Sequence, residues 1–357
     1  MSSVWGERIK LTIFGESRGE AIGVVIDGLP PGEKIDMDEC QVELSRRAPG
    51  RDEISSARKE PDDVRVISGL KSSTTTGAPL CALIENVDAE REASDNRRIA
   101  RPGHADYTAH LKYKGFADMR GGGHFSGRLT APLVFAGAVA RQMLARRGVV
   151  IGARVVRIGS VADRCPFQPL PQAFEILRSG GFPALCPDAA KLMRNEIVSA
   201  KAGGDSVGGI VEAAATGVPA GLGAPFFGSV ESALSALLFS IPAVKGVEFG
   251  DGFSISQMRG SQANDAIRAE GGAVAFSSNR CGGILGGITN GEPIIVRAGF
   301  KPTPSIAIEQ PSVNLETMEN STVRSEGRND PCVVLRAVPV VEACLAVCIL
   351  DKWEGLT

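Results

Sequence analysis

Gly15-Glu16-Ser17-Arg18-Gly19, followed by Gly28-Leu29-Pro30-Pro31-Gly32, recurs farther along the chain as Gly204-Asp205-Ser206-Val207-Gly208 and Gly217-Val218-Pro219-Ala220-Gly221. Both copies fit G-[ED]-S-x-G-x8-G-[LV]-P-x-G, and each encloses a β-rich stretch, residues 22–26 in one and 210–214 in the other. A second pair keeps the same order: Gly69-x7-Gly77-Ala78-Pro79-Leu80 parallels Gly283-x7-Gly291-Glu292-Pro293-Ile294. A third, weaker pair sets Arg128 and Pro132 at the head of one apolar run and Arg336 and Pro339 at the head of another. Proline suits a helix's first turn, where its missing N–H costs nothing. The period is far too long for a solenoid. The sequence therefore predicts one fused body over residues 1–357, built from two similar halves at roughly 8–150 and 200–350.

Outward from these repeats, β-rich segments fall at 10–14, 22–26, 64–67, 80–84, 150–157, 210–214 and 294–298. Helical periodicity is clearest at 132–147 and 339–352, with shorter candidates at 37–46 and 230–238. Strands in hairpin-like neighbours, followed by helices, favour an α+β fold over a doubly wound sheet. No G-x-G-x-x-G leads from a strand into a helix and no G-x-x-x-x-G-K-[ST] occurs, so the dinucleotide-binding and P-loop signatures are missing.

Composition narrows the function class. The 357 residues suffice for a large core, and a formal charge of −2 makes the clustered arginines local features rather than a nucleic-acid surface. Eight cysteines include no CxxC pair, and Cys344 and Cys348 sit in an apolar helical run that predicts burial. The three histidines, His104, His110 and His124, show no zinc-ligand spacing. Free thiols in a chain of this size point to a reducing cytoplasm. The first ten residues include Glu7 and Arg8 without a long apolar signal core. Apolar runs such as 131–140 stop well short of the roughly 20 residues of a membrane span. The expected setting is cytoplasmic, with neither a membrane nor a nucleic-acid partner.

Chemistry-bearing residues concentrate between Arg101 and Pro132. There Arg101, His104, Asp106, Lys112, Lys114, Arg120, His124 and Arg128 surround Gly121-Gly122-Gly123. Glycines let a backbone approach a ligand, helix N-termini attract anions, and arginine offers a fork matched to phosphate and carboxylate. A small anionic ligand is the expectation, with a basic surface loop as the alternative. Arg46-Arg47-Ala48-Pro49-Gly50-Arg51 reads equally as a helix C-terminus and as an anion contact. Lys301-Pro302-Thr303-Pro304-Ser305 is a stiffened loop suited to a phosphate or a ring edge, or a plain rigid turn. Gly327-Arg328-Asn329-Asp330-Pro331 sets a cation beside a carboxylate ahead of the last helix, where the first half has its arginine- and histidine-rich stretch. Residues 259–265 are polar and turn-like, and Arg58, Lys59, Glu60 and Asp62 read as a solvated charged turn. Ser17 and Ser206 lack a nucleophile-elbow context and read as turn caps.

Taken together, FGESRGEAIGVVIDGLPPG, RRAPG, RPGHADYT, RGGGHFSGR, GDSVGGIVE, GVPAGLG, IPAVKGVEFGDGF, RGSQANDAI, GGILGGITNGEPI, KPTPSI and GRNDPCVVLRAVPVVEA follow one another in an order that resembles the chorismate synthases over about residues 8–350. The resemblance implies a β-α-β sandwich with internal pseudo-twofold duplication, antiparallel sheets around central helices, and a homotetramer. It implies an anti-1,4-elimination converting 5-enolpyruvylshikimate 3-phosphate to chorismate and inorganic phosphate, the last common step of the shikimate pathway to aromatic amino acids. That reaction has no net redox change, yet the family requires reduced FMN. An external flavin reductase is the implied source, with NADP the nucleotide associated with that supply.

Position by position, the resemblance implies that Arg47, Arg101, Arg128 and Arg328 bind the substrate's phosphate and carboxylates. It sets Ser17 and Ser126 near substrate and flavin. His104 would pass a proton to the departing phosphate, a task that suits an imidazole titrating near neutrality. Asp330 would relay the C6 proton near flavin N5. The implied FMN cradle is His124, Phe125, Ser126, Gln262, Ala263, Gly286, Lys301, Pro302, Thr303, Pro304 and Ser305, with Arg328.

Departures from the family pattern are few. The usual GESHG reads GESRG, so Arg18 stands where a second family histidine protonates or stabilises the reduced flavin near N1. Arginine, with a pKa above about 12, is a poor proton donor, so altered pH dependence or lowered activity is expected rather than lost binding. His124-Phe125 replaces a common Arg-Ser pair, Ala48 an arginine and Glu53 a common cation, with Arg51 close by in sequence. The alternative is an FMN- and anion-binding protein on the same scaffold, its catalysis impaired by Arg18. His104, Asp330 and the arginines speak against it, since binding alone needs no proton-transfer groups. A phosphate-ester hydrolase would need a metal constellation or a nucleophile, and the sequence offers neither.

Overall fold

The structure is a computed structural model and describes residues 3–50, 54, 60–87, 98–168, 170–178, 180–325, 329–353 and 355. Strands β1 (Val4–Trp5), β2 (Lys10–Gly15) and β3 (Ala21–Asp27) lead into helix α1 (Met37–Arg47). Then come β4 (Val64–Ser68), the small hairpin β5 (Leu70–Lys71) and β6 (Thr74–Thr75), and β7 (Leu80–Glu85). Helix α2 (Asp106–Tyr113) precedes α3 (Thr130–Ala145). Next follow β8 (Val150–Ile158), β9 (Val161–Ala162), α4 (Leu170–Arg178) and α5 (Pro187–Ala202). Later elements are β10 (Gly209–Thr216), α6 (Val230–Ser240), β11 (Val244–Phe249), α7 (Gly260–Ala263) and a hairpin of β12 (Ile267–Glu270) and β13 (Ala273–Phe276). The chain closes with β14 (Ile284–Leu285), β15 (Ile288–Thr289), β16 (Ile294–Phe300), β17 (Gln310–Val313), β18 (Asn320–Val323) and α8 (Val334–Lys352).

Two antiparallel five-stranded sheets enclose the central helices α3 and α8. Their orders are β1-β2-β3-β7-β4 and β9-β8-β10-β16-β11. Read from the same edge, the two match place for place. Helix α3 rests on β2, β3 and β7, whereas α8 rests on β8 and β10, and the two helices pack against each other in the middle. Both are apolar nearly all round, which suits a helix buried on every side. They approach closely where Gly137 meets Ala343: a Cβ at position 137 would stand 2.2 Å from that of Ala343. Here the glycine is a packing requirement.

The repeated glycine motifs are tied down by the same device twice. The Thr75 hydroxyl donates to Pro30 O (2.7 Å) and accepts from Glu33 N (2.8 Å). The Thr289 hydroxyl donates to Pro219 O (2.7 Å) and accepts from Leu222 N (2.9 Å). Gly32 N and Gly221 N then bind Thr75 O and Thr289 O, each at 2.8 Å. Both threonines are buried, so each turn's polar groups are satisfied inside its core.

The α+β class holds, and each strand and helix read from the sequence overlaps an observed element. One detail is corrected. Pro339 does not open its helix but lies inside α8, which starts at Val334. Burial on all sides outweighs the hydrogen bond that proline removes there.

Candidate active site

The connection from β7 to α3 and the connection from β16 to α8 occupy corresponding places in the two halves, and they meet. Ile99 forms a β-bridge with Asn314, Ala100 N donates to Val313 O, and Lys301 Nζ donates to Gly103 O (2.5 Å). Between them opens a cavity of about 1820 Å³. Residues 101–130 and 300–340 supply most of its polar wall, while Leu11, Ile13, Leu133, Leu237, Ile241 and Val340 supply apolar surface.

Arg47 projects from the last turn of α1 and Arg128 from the turn that opens α3. One carboxylate bridges them. Asp62 Oδ2 accepts from Arg47 Nη2 at 2.5 Å, and Asp62 Oδ1 pairs with Arg128 Nη1. Glu60 lies 3.5 Å from Arg128 Nη2. Asn86 Oδ1 (2.9 Å) and Glu85 O (3.2 Å) take further Arg128 donors. All four charged side chains are buried. Burial pushes the Arg47 guanidinium down to about 10 although Asp62 opposes the shift. Burial alone would raise Asp62, but the two guanidiniums outweigh it and hold the carboxyl below the usual aspartate range. Glu60 and Asp62 are therefore not the solvated turn the sequence suggested: the arginines draw them inward. Arg58 and Lys59, like Arg51 and Glu53, lie outside the described residues.

Arg101 is gripped by Asp106 through two 2.8 Å bonds, while its backbone N–H also binds that carboxylate. His104 Nε2 stands 2.7 Å from Ser305 Oγ. Burial, with the charges of Arg101 and Lys301 adding to it, pushes the imidazole down to about 4. His104 is thus neutral near pH 7 in the free protein, and the expectation of titration near neutrality is corrected.

The three glycines form a turn that only glycine adopts readily. Gly121, Gly122 and Gly123 all have positive φ, and a Cβ on Gly123 would fall 1.8 Å from Asp118 O. Gly123 O accepts from Ser17 N (3.1 Å), which joins the turn to the first glycine motif. His124 Nδ1 lies 2.9 Å from Gly15 O, so that nitrogen carries the proton, and its Nε2 faces Ser3 Oγ at 3.1 Å. Phe125 packs edge-on to Tyr113. Ser126 Oγ accepts from Arg128 N (3.3 Å) and caps the next turn.

Arg18, Arg47, Arg101, His104, His124, Phe125, Ser126, Arg128, Lys301, Thr303, Pro304, Ser305 and Asp330 all line the cavity. Ser17 lies behind Arg18 and Gly121, fully buried. Pro302 faces a separate small hollow beside Gly208 and Gly209. Gln262, Ala263 and Gly286 do not line the cavity; the Gln262 side chain instead accepts from Arg259 N (3.0 Å). Arg328 lies outside the described residues. Ser206 does not cap its own turn as read from the sequence: its hydroxyl donates to Thr303 O (2.6 Å) and ties the first glycine motif of the second half to the 303 loop. Sequence reasoning missed Arg336. It ion-pairs with Asp330 and donates from Nε to Arg47 O at 2.8 Å. Its only signal was its position beside Asp330 at the start of the last helix.

A cavity of phosphate-matched cations, a half-buried imidazole and a carboxylate, set where two equivalent connections meet, accords with what the comparisons return. The family model for chorismate synthase matches residues 9–353. The chain belongs to the chorismate synthase family. It is 45% identical to the chorismate synthase of Thermococcus kodakarensis, over 98% of this chain and 99% of that one. The corresponding protein of Dehalococcoides mccartyi is 44% identical, covering 98% and 96%. A crystal structure of chorismate synthase matches with a TM-score of 0.78 at 29% identity, over 97% of this chain and 92% of the other. As a member the chain is a carbon–oxygen lyase, which eliminates phosphate from 5-enolpyruvylshikimate 3-phosphate to give chorismate. The alternative of a binding protein with impaired catalysis gains no support from these matches.

Proposed function

We propose that the elimination takes place in the cavity between the two connections and requires reduced FMN. The observation that carries this reading is a pair of buried hydroxyls beside the cavity. Ser17 Oγ and Thr303 Oγ1 have no hydrogen-bond partner among the described residues. A buried hydroxyl left unpaired is costly, and polar atoms of a bound ligand would satisfy it. The apolar wall and Phe125 suit a flat ring system, and Lys301 with the arginines suits its phosphate and the substrate's anions.

When bound, reduced FMN supplies electron density that assists departure of phosphate. The chain's own residues do the rest. Arg47, Arg101 and Arg128, with Arg328, bind the substrate's phosphate and carboxylates and fix its orientation. His104, neutral in the free protein, gains a proton as the phosphate dianion arrives and passes it to the leaving group. Asp330, held by Arg336, accepts the C6 proton. Lys301, Thr303, Pro304, Ser305, His124, Phe125 and Ser126 form one side of the cofactor cradle. Gln262, Ala263, Pro302 and Gly286 belong to it only if a second chain or a rearranged loop brings them there.

We further propose a cytoplasmic homotetramer that receives reduced FMN from a separate NADP-linked flavin reductase. Phe226, Phe227 and Phe253 expose most of their surfaces, which supports burial between subunits. No described helix is long and apolar enough to cross a membrane. The whole chain is one unit of two halves, roughly 8–150 and 200–350, as the matched sheet orders support. The test is anaerobic incubation with reduced FMN and 5-enolpyruvylshikimate 3-phosphate, following chorismate absorbance and phosphate release. Equal amounts of both are expected, with none from oxidised FMN; product without flavin would overturn the cofactor reading.

A further inference from the structure

Away from the cavity, three sulfur and oxygen ligand atoms converge on the outer flank of the second sheet. Asp163, Cys165 and Cys186 place theirs within 4.8 Å of one another. Cys165 follows β9, and Cys186 immediately precedes α5, with the turn of α4 between them. The Asp163 carboxylate organises the cluster. Oδ1 accepts from Cys165 N (2.9 Å), while Oδ2 accepts from Leu185 N (2.8 Å) and Cys186 N (3.3 Å). One buried carboxylate thus holds the backbones of both cysteines side by side. Arg154 fixes it from below, with Nη1 at 3.7 Å from Asp163 Oδ2 and donating to Cys165 O at 2.7 Å.

We propose that Cys165 and Cys186 are a disulfide-forming pair that staples the β9–α5 excursion onto the second sheet. Two readings compete for such a cluster, and its electrostatics favour the covalent one. A metal ion needs the carboxylate as its third ligand, yet both Asp163 oxygens already accept backbone N–H groups and a guanidinium lies alongside. A disulfide needs only the two thiols, whose sulfurs already lie within 4.8 Å of each other. Both are half-buried, so reagents reach them, whereas Cys40, Cys332, Cys344 and Cys348 are buried. Cys186 also sits at the N-terminus of a 16-residue helix.

The oxidant is a small-molecule disulfide. The Cys186 thiolate attacks one of its sulfurs, forming a mixed disulfide and releasing one thiol. Cys165, losing its proton to solvent, then attacks the Cys186 sulfur, releasing the second thiol and closing the bond. The protein loses two electrons and the reagent gains them.

Neither cysteine lines the cavity, so the staple acts on stability rather than on turnover. The test is to equilibrate the full chain with glutathione disulfide, block free thiols with iodoacetamide and map peptides without reduction. The expected result is a cross-linked pair of peptides carrying residues 165 and 186, with Tm raised by about 5 °C and turnover unchanged. Dithiothreitol reverses both effects, and Cys165→Ser abolishes the rise. The proposal fails if both cysteines of the oxidised wild type still alkylate. It also fails if the protein as purified carries stoichiometric zinc that alkylation of these two thiols releases. The peptide map of the wild type decides the matter even where a serine variant misfolds.

Discussion

The turn that enters β4 and the turn that enters β11 are counterparts, and both bend through a residue with positive φ. The first is Asp62 (φ 56) and the second Ala243 (φ 77). Asp62 is a buried carboxylate bridging two arginines behind the cavity wall, while Ala243 lines the cavity itself beside Ile241 and Pro242. The paired serines divide in the same way: Ser17 Oγ is buried without a protein partner among the described residues, and Ser206 Oγ fastens the 303 loop. The backbone frame is therefore duplicated, but the charge is not. At these paired positions the first half carries a buried ionic bridge and the second an apolar turn and a loop anchor.

The hardest test of that contrast is to remove the carboxylate. Asp62→Asn leaves the buried Arg47 guanidinium without its counter-charge and Arg128 with Glu60 alone, a class of change that costs about 3–5 kcal/mol. The corresponding Ala243→Gly relaxes a strained φ and changes stability by no more than about 1 kcal/mol. Urea unfolding of both variants measures the difference, and near-equal midpoints would break the contrast. The pH dependence has a definite sign. Because the Asp62 carboxyl is lowered in the folded state, its contribution is present above the ordinary aspartate range and is lost as pH falls through the lowered value.

Where the halves are alike, matched changes should cost alike. Thr75→Val and Thr289→Val each remove one hydroxyl that donates to a proline carbonyl and accepts a backbone N–H. Each should cost about 1–3 kcal/mol, the two agreeing within roughly half a kcal/mol. A loss confined to one half would mean that the shared hydrogen bonds bear unequal loads.

His104 belongs to one connection and its partner Ser305 to the other. With its imidazole lowered to about 4, the unfolded chain takes up a proton first as pH falls. Its contribution to stability is thus complete above about 6.5, the ordinary histidine value, and fades between there and about 4. In NMR titration the His104 ring should stay neutral from pH 8 to 5 in the free protein. Adding the phosphorylated substrate should move its midpoint upward by at least one unit, whereas no movement would remove His104 from phosphate protonation.

The repeats were legible because glycine at positive φ and proline leave marks in sequence that packing seldom overrides, and the long strands β3, β7, β10 and β16 beside the motifs were found, while the two-residue strands β5, β6, β14 and β15 within the second pair were not. Helix α5 was missed for a physical reason. Only Ala189, Met193 and Ile197 are buried along it, too thin a stripe to separate from a solvated segment. Within the site, arginines and His104 stood out by type and clustering. Asp62 and Glu60 did not, because a short acidic run gives no hint that two distant cations will draw it into the core. Arg336 was read as a helix opener because its partner, the Arg47 carbonyl, lies far away in sequence.

The smallest expected effect concerns the motif in which the halves differ by one charge, Arg18 in one and Val207 in the other. Arg18 lines the cavity and lies along the triple-glycine turn, where a Cβ on Gly121 would meet its Cγ at 3.1 Å and its Nε at 3.2 Å. A guanidinium there offers a fixed positive charge at every working pH, whereas a histidine would offer one only below about 6.5. If that charge steadies an electron-rich ring, Arg18→His should match the parent at pH 6 and fall behind it by a few-fold at pH 8. If a proton donor is what the position needs, the order reverses, with the variant faster than the parent at pH 6. Turnover of both proteins across pH 6–8 separates these cases, and identical profiles would show that position 18 contributes neither charge nor proton. The expected outcome is the first, because the cavity already holds a histidine in His104 and the arginine fits its glycine bed without displacing any described side chain.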